Sequence, residues 1–308
     1  MRTGTAFDDK EISMVIDRNS EQEIKSKASP KDYKSTLKPI WCAGCGNYGV
    51  LTALTQALSE LGLPRHETAI ITGIGCSSRI AGYLSIYGIN TLHGRAIPIA
   101  TGVKLANPEL TVIAAGGDGD AFSIGGGHLP HVARKNIDLT YIVMDNRVYG
   151  LTKGQMSPTT PLDTSTASTF YGSYDPPVNM VEYMLSYGAG FVARGFAGNI
   201  KQLARLIIDG IKYPGFAFIQ VLSPCITYRG KQEYDIIGAA SRELPENYNP
   251  SDRMEAFRIA ESVEELHMGV IYRNPDLIPY QERIESIRRI AKSKGVKPIE
   301  RLIDEFRP

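Results

Sequence analysis

Residues 114–150, AAGGDGDAFSIGGGHLPHVARKNIDLTYIVMDNRVYG, contain the pattern that decides the fold. Two short β-branched apolar runs, 111–115 (TVIAA) and 139–144 (LTYIVM), are each bounded by glycine or polar residues. Strands buried on both faces of a parallel sheet read this way. The 121–135 stretch between them is long enough for a crossover helix, which predicts a βαβ unit. In such sheets the ligand crevice lies beyond the carboxyl ends of the strands, where Asp118 and Asn146 fall. Gly117 and Gly119 allow a tight turn and a close approach to a ligand, and the following helix is expected to offer N–H groups and a positive dipole end to a diphosphate. One carboxylate plus one side-chain amide suits Mg²⁺ that completes its octahedron with phosphate oxygens and water. GDG alone is also an ordinary strand-to-turn sequence. A nicotinamide site fits less well, because GGDGDA lacks the full GxGxxG spacing.

Working outward, residues 1–37 are polar and charged and read as an arm or leader. From 38 to 230 helical and strand patterns alternate: helix 48–61, strand 68–73, a helix around 98–105, the βαβ unit, a strand near 190–193, helix 200–211 and strand 216–222. This predicts an α/β fold with a doubly wound, mostly parallel sheet. Residues 231–308 are charge-rich, with helical stretches at 252–264 and 279–293, and read as a mainly helical extension that packs on the sheet or on a partner.

At 308 residues and 43% hydrophobic content the chain can bury a substantial core. Lys plus Arg number 34 against 33 Asp plus Glu, so net charge calls for neither nucleic acid nor an anionic membrane. No apolar run approaches the roughly 20 residues that cross a bilayer, and no hydrophobic signal core opens the chain. A cytoplasmic location is expected.

The four cysteines form a second constellation. Cys42 and Cys45 lie in WCAGCG, Cys76 just past one expected strand, and Cys225 just past another. Cys76 and Cys225 therefore open onto the same sheet edge as Asp118 and Asn146. Four thiolates there could hold zinc or a 4Fe–4S cluster, and the spacing matches neither the compact ferredoxin run nor a paired zinc ribbon. An electron acceptor beside an electron-rich cofactor makes chemical sense. Buried structural cysteines would explain Cys76 or Cys225 singly but fit WCAGCG poorly.

A GDG followed some two to three dozen residues later by an Asn after a hydrophobic strand resembles the thiamine diphosphate fingerprint. The wider set WCAGCGN (41–47), GIGCSSR (73–79), TLHGRAIPIATGVKLANP (91–108), GGDGDAFSIGG (116–126), DNRVYGLTKGQMSPTT (145–160) and SPCITY (223–228) resembles the thiamine-binding β subunit of the 2-oxoacid:ferredoxin oxidoreductases, of the 2-oxoglutarate-type or broad-specificity branch. The resemblance implies the diphosphate-domain fold of thiamine enzymes, with Mg²⁺ held by Asp118, Asn146 and the Val148 carbonyl. It further implies cofactor contacts from Cys76, Ser77, His93, Gly117, Asp118, Gly119, Asp120, Asn146, Val148, Gly150 and Leu151, and one 4Fe–4S cluster on Cys42, Cys45, Cys76 and Cys225. The implied reaction is oxidative decarboxylation of a 2-oxoacid, with electrons passing through the cluster to ferredoxin and the acyl group to coenzyme A; the protein orients the cofactor and excludes water. The carboxylate that activates the aminopyrimidine is implied to come from the α subunit, in a heterodimer or a dimer of heterodimers, because no second thiamine domain is found in this chain.

Arg79 and Lys153 are the cations expected to meet a substrate carboxylate, and if both do, 2-oxoglutarate is favoured over pyruvate. Balancing diphosphate or cluster charge would explain either equally. His93 is a candidate neighbour of the diphosphate, whereas His128 and His131 read as helix packing, and Tyr149 and Gln155 take no assigned role. Two rival readings are a thiamine decarboxylase half without electron transfer and a zinc-stapled binding protein.

Overall fold

The computed structural model describes residues 28–262, 265–295 and 298–307. Among these, eight strands form one sheet: β1 (Thr68–Thr72), β2 (Tyr87–Asn90), β3 (Thr111–Gly117), β4 (Leu139–Asp145), β5 (Phe191–Phe196), β6 (Phe216–Leu222), β7 (Ser241–Glu243) and β8 (Leu266–Arg273). Their order is β2-β1-β3-β4-β6-β5-β8-β7. The six strands from β2 to β5 run parallel, and β8 closes onto β5 in the antiparallel sense. The unbroken apolar runs of β1, β4 and β6 are buried along their whole length, as strands covered on both faces must be.

Alternate residues of these strands feed two cores. On one face Ile113, Ala115, Ile142 and Met144 pack with α1 (Asn47–Leu61) and, beyond β5, α5 (Ile200–Lys212). On the other, Val112, Ala114, Tyr141 and Val143 pack with α2 (Ala96–Ala106), α3 (Leu129–Lys135), α4 (Met180–Ser186) and α8 (Arg253–Glu261). Helix α5 shows why these segments fold as they do. The Asn199 side chain accepts from the Gln202 N–H and starts the helix, and Leu203, Leu206 and Ile207 then recur on its buried stripe. The chain reverses direction across the sheet between β1 and β3, since β1 leads outward to β2 and β3 leads inward to β4. That switch point is where a crevice opens.

Three expectations change. The crossover is no continuous helix over 121–135: a π-helical turn (Asp120–Ile124) and a 3₁₀ turn (Gly126–His128) precede α3, because the glycines at 125–127 cost helix stability. The N–H groups facing the crevice therefore belong to a turn, with no long helix behind them. The last residues of the expected arm are packed: Tyr33 is fully buried and its hydroxyl donates to the Leu63 carbonyl at 2.6 Å. Residues 1–27 of that arm lie outside the described residues. After the short α6 (Ile226–Arg229), the C-terminal stretch, besides α7 (Glu233–Ala240), α8, α9 (Tyr280–Ser293) and α10 (Ile299–Glu305), supplies β7 and β8 to the sheet. Positions 263 and 264 of its first expected helix lie outside the described residues, and α8 ends at Glu261.

Candidate active site

Asp118 and Asn146 follow directly on β3 and β4, so both stand at the carboxyl edge beside the switch point. A cavity of about 620 Å³ opens there, lined by the 74–77 loop, His93, the Gly117–Asp118–Gly119–Asp120 turn, Asn146 and the segment from Val148 to Thr152. Every cofactor-contact residue carried over by the resemblance lines it.

Asp118 is 2% exposed, and its Oδ2 accepts from the Thr159 hydroxyl at 2.8 Å. The same hydroxyl lies 2.9 Å from Asp145 Oδ1. One hydroxyl proton thus serves two buried carboxylates. Burial, and then the Asp145 charge, push the Asp118 carboxyl up to about 7 from 3.8. A site that holds a buried carboxylate at this energetic cost is one that a cation relieves. Asn146 Oδ1 accepts from the Val148 N–H at 3.0 Å, which folds the loop so that Asn146 and Val148 share one wall of the cavity. This donor set fits Mg²⁺.

The sign of the Asp118 shift sets a pH dependence. Its folded-state value lies above its unfolded one, so from about pH 4 to 7 the native state holds the extra proton and stability falls as pH rises through that window. The thermal midpoint of the cofactor-free protein is expected to fall between about pH 4 and 7, with a flatter profile in Asp118→Asn. Calorimetry across that range checks it; equal slopes for the two proteins would contradict it.

The acid pair is supported from behind by residues that sequence reading missed. Gln220 on β6 donates to Asp145 Oδ2 at 2.9 Å, and its Oε1 accepts from Arg194 Nε on β5 at 2.9 Å. Arg194 is 4% exposed, and burial lowers its guanidinium to about 10. The only local signal was one polar residue inside each of two otherwise buried strands, FVARGF and FAFIQVL. Gln220→Leu leaves Arg194 Nε and Asp145 Oδ2 without their partner, a loss on the order of 2–4 kcal/mol. Chemical denaturation is expected to show that loss, with thiamine diphosphate affinity weakened by roughly tenfold as the acid pair shifts. Unchanged affinity would separate the chain of bonds from the site.

Asp120 faces the cavity as well; one oxygen of its carboxylate is committed to the protein, and Oδ2 is buried without a hydrogen-bond partner. Oδ1 accepts from Ile74 N at 2.9 Å, Gly94 N at 2.8 Å and His93 Nδ1 at 2.9 Å. A Cβ on Gly73 would stand 2.0 Å from Asp120 Oδ2, so only glycine admits the acid at that seat. Since a carboxylate can only accept, His93 Nδ1 is the donor in that contact. Tyr149 closes the turn from above. Its hydroxyl donates to the Gly119 carbonyl at 3.3 Å, and a Cβ on Gly119 would stand 2.2 Å from its ring.

The four cysteines line one further cavity of about 210 Å³, which shares Cys76, Asn146, Gly150 and Leu151 with the larger one. Three chain segments are tied together around it. The Trp41 indole donates to the Cys76 carbonyl at 2.7 Å, the Gly46 N–H donates to the Pro224 carbonyl at 3.0 Å, and Ser223 Oγ donates to Asn47 Oδ1 at 3.0 Å. Burial raises the Cys45 thiol to about 11, with the Cys225, Cys76 and Cys42 charges adding to the rise. Cys76 and Cys225 are pushed up for the same first reason. Among the described residues no group of three or more His, Cys, Asp or Glu is gathered as a single metal ion requires. Four cysteines around one cavity make a sulfur-only set of the kind that holds zinc or an iron–sulfur cluster. A Cβ on Gly150 would lie 3.7 Å from Cys76 Sγ and 3.8 Å from Cys225 Sγ, in van der Waals contact with both sulfurs, so Gly150 forms part of the wall against them.

The two expected substrate cations separate. Arg79 lines the cysteine cavity, and Lys153 lines neither cavity. Lys153 holds φ +80° in the loop whose Leu151, Thr152 and Gln155 face the larger cavity. His128 meets Arg95 at 2.8 Å, consistent with a packing role.

Residues 73–221 match the family model described as "Thiamine pyrophosphate enzyme, C-terminal TPP binding domain", so fold and crevice define the class of thiamine-dependent enzymes. Residues 225–289 match the model for the C-terminal part of the beta chain of pyruvate ferredoxin oxidoreductase. Subunit beta of 2-oxoacid:ferredoxin oxidoreductase 2 from Aeropyrum pernix is 38% identical over 272 residues, covering 83% of this chain and 87% of that one. The 2-oxoglutarate synthase subunit KorB of Archaeoglobus fulgidus is 37% identical over 264 residues, covering 85% and 95%. A solved 2-oxoglutarate:ferredoxin oxidoreductase from Magnetococcus marinus, with 2-oxoglutarate, coenzyme A and succinyl-CoA bound, superposes with a TM-score of 0.88 at 39% identity, over 93% of this chain and 98% of that one. The chain belongs to the β subunits of the 2-oxoacid:ferredoxin oxidoreductases, enzymes that oxidise 2-oxoacids with ferredoxin as acceptor.

Proposed function

We propose that this chain is the catalytic β subunit of an enzyme that converts a 2-oxoacid, 2-oxoglutarate in preference to pyruvate, and coenzyme A to acyl-CoA and CO₂. The observation that carries this reading is the shared wall of the two cavities, Cys76, Asn146, Gly150 and Leu151, which sets a cysteine cradle directly against a diphosphate site. Asp118, Asn146 and the Val148 carbonyl hold Mg²⁺ and with it the diphosphate; Cys42, Cys45, Cys76 and Cys225 hold a 4Fe–4S cluster. When bound, thiamine diphosphate supplies the carbanion chemistry, and the cluster accepts electrons one at a time.

The chain's own residues bind and orient. Thr159 fixes Asp118 Oδ2, and the turn around Gly119 and the His93 ring line the cavity in which the diphosphate would sit. Asp118 and Asp120 are the carboxylates among the described residues that line the cavity, and the resemblance to the family implies that the activating carboxylate at the aminopyrimidine comes from the α subunit. Ile74 and Leu151, apolar yet 44% and 43% exposed at the cavity, are surfaces for that subunit to bury, which excludes water. The overall step balances as one 2-oxoacid and one thiol giving one thioester, CO₂, two protons and two electrons, which reduce two ferredoxins. Free thiols in place of disulfides suit a cytoplasmic location, and among the described residues no helix is long and apolar enough to cross a membrane.

Lys153 sits in the loop that lines the cavity and is the cation assigned to the distal carboxylate of 2-oxoglutarate, whereas Arg79 stands beside the cysteines. Turnover of the co-purified αβ enzyme on 2-oxoglutarate and pyruvate tests this. Lys153→Ala is expected to lower kcat/KM for 2-oxoglutarate by roughly 10- to 100-fold while sparing pyruvate, and Arg79→Ala to leave the ratio unchanged. An unchanged ratio in Lys153→Ala would sink the assignment.

A further inference from the structure

We infer that Tyr228 is a positioning residue for substrate choice, its ring holding the 149–155 loop in the shape that sets Lys153 beside the crevice. The inference rests on the Lys153 and cluster assignments above. Both ends of the loop are gripped by segments that bear cysteines. Gly150 stands against the Cys76 and Cys225 sulfurs, and Gly154 lies under the Tyr228 ring, whose Cδ1, Cε1 and Cγ would be 2.7, 3.2 and 3.2 Å from a Cβ there. Gly154 also holds φ +95°, so only glycine fits at that seat.

The backbone between these grips is strained. Lys153 has φ +80°, a value that a residue with a side chain keeps only where its surroundings impose it. Four backbone hydrogen bonds do so: the Lys153 N–H donates to the Gly150 carbonyl at 3.2 Å, Gly154 to Tyr149 at 2.9 Å, Tyr149 to Gln155 at 3.0 Å, and Ala167 to Gly154 at 2.9 Å. The Tyr228 ring adds the packing contact at Gly154.

Tyr228 is fixed in turn by the helix it belongs to. Helix α6 directly follows Cys225, and the Thr227 and Tyr228 N–H groups hydrogen-bond the Cys225 sulfur. Two residues before Tyr228, Ile226 meets Gly44 between the first two cysteines, where a Cβ would stand 3.0 Å from its Cδ1. One short helix therefore grips a cysteine loop and the lysine loop together. The Tyr228 hydroxyl has no hydrogen-bond partner among the described residues, so the contact on Gly154 is the ring's alone. Removing the ring frees Gly154, lets Lys153 leave its strained φ and withdraws the cation from a second substrate carboxylate. A 2-oxoacid with a single carboxylate loses nothing.

The test compares Tyr228→Ala, Tyr228→Phe, Lys153→Ala and the Tyr228→Ala/Lys153→Ala pair in the αβ holoenzyme, on 2-oxoglutarate and pyruvate. In Tyr228→Ala the KM for 2-oxoglutarate is expected to rise roughly tenfold, with kcat and the pyruvate KM changed less than about twofold. Amide hydrogen exchange across residues 149–156 is expected to quicken roughly tenfold in the same variant, with iron and thiamine contents unchanged. Tyr228→Phe should keep the parent values, and the pair should show no rise in KM beyond that of Lys153→Ala. Parent-like KM and exchange in Tyr228→Ala overturn the positioning role and leave Lys153 in place. A loss in Tyr228→Phe equal to that in Tyr228→Ala, or a further rise in the pair, overturns it as well. So do equal losses for the two acids or a loss of iron, because Tyr228 would then support the cluster and not the loop. A parent-like KM for 2-oxoglutarate in Lys153→Ala overturns the substrate assignment itself, and the positioning role with it.

Discussion

Asp118→Asn is expected to weaken binding of thiamine diphosphate with Mg²⁺ by at least about 100-fold while making the cofactor-free protein more stable. The loss follows from removing the one negatively charged oxygen donor of the proposed set, leaving two neutral oxygens for a hard cation. The gain follows from burial. A carboxylate raised from 3.8 to about 7 is a destabilising charge at neutral pH, and an isosteric amide removes on the order of 3 kcal/mol of that penalty above pH 7. Thr159 can still donate to the amide oxygen, so the bond at Asp118 Oδ2 keeps an acceptor. Titration calorimetry with the cofactor and thermal unfolding at about pH 8 read the two effects separately. Lower stability together with lost binding would mean that the turn had collapsed, and the carboxylate would then be structural.

Cys45→Ala is expected to abolish ferredoxin reduction while leaving the diphosphate site loaded. Cys45 lines the cysteine cavity alone, whereas Cys76 lines both, so Cys45 is the substitution that separates the two functions. Iron and sulfide content, together with the broad absorbance at about 400 nm that iron–sulfur proteins show, should fall to background. Bound thiamine should persist, because Asp118, Asn146 and Val148 do not depend on that thiol. Joint loss of both cofactors would mean that the cradle and the crevice fold as one cooperative unit. Retention of iron would remove Cys45 from the ligand set.

What could be read from the sequence, and what could not, divides along burial and sequence distance. Strands β1, β4 and β6 were legible because burial on both faces leaves an unbroken apolar run. Asp118, Asn146, Cys76 and Cys225 were legible because each directly follows such a run. Strand β2 carried no apolar signature, since all four of its residues are exposed at the sheet edge. In β8, His267 and Gly269 interrupt the pattern, and its antiparallel pairing with β5 depends on contacts made some 75 residues away in sequence. Length alone misleads at the crossover; the glycines at 125–127 outweigh the helical pattern of their neighbours.

The support behind the site was hidden for a similar reason. Thr159, Asp145, Gln220 and Arg194 come from one loop and three strands, and no local motif links them. Each looks unremarkable until the strands are set side by side. Substrate cations were the least legible feature: Arg79 and Lys153 were paired by their distance from motifs, and the fold sends one to the cysteine cavity and leaves the other in a loop beside the crevice.

The central claim is that the diphosphate crevice and the cysteine cradle form one electron-transfer unit across Cys76, Asn146, Gly150 and Leu151. Electron paramagnetic resonance of the anaerobically purified αβ enzyme, mixed with 2-oxoglutarate and coenzyme A but no ferredoxin, tests it most directly. The result expected is the signal of a reduced 4Fe–4S cluster that appears only when the 2-oxoacid is present and is lost in both Asp118→Asn and Cys45→Ala. A colourless protein with one zinc per chain, or a cluster that stays oxidised while CO₂ is released, would contradict it.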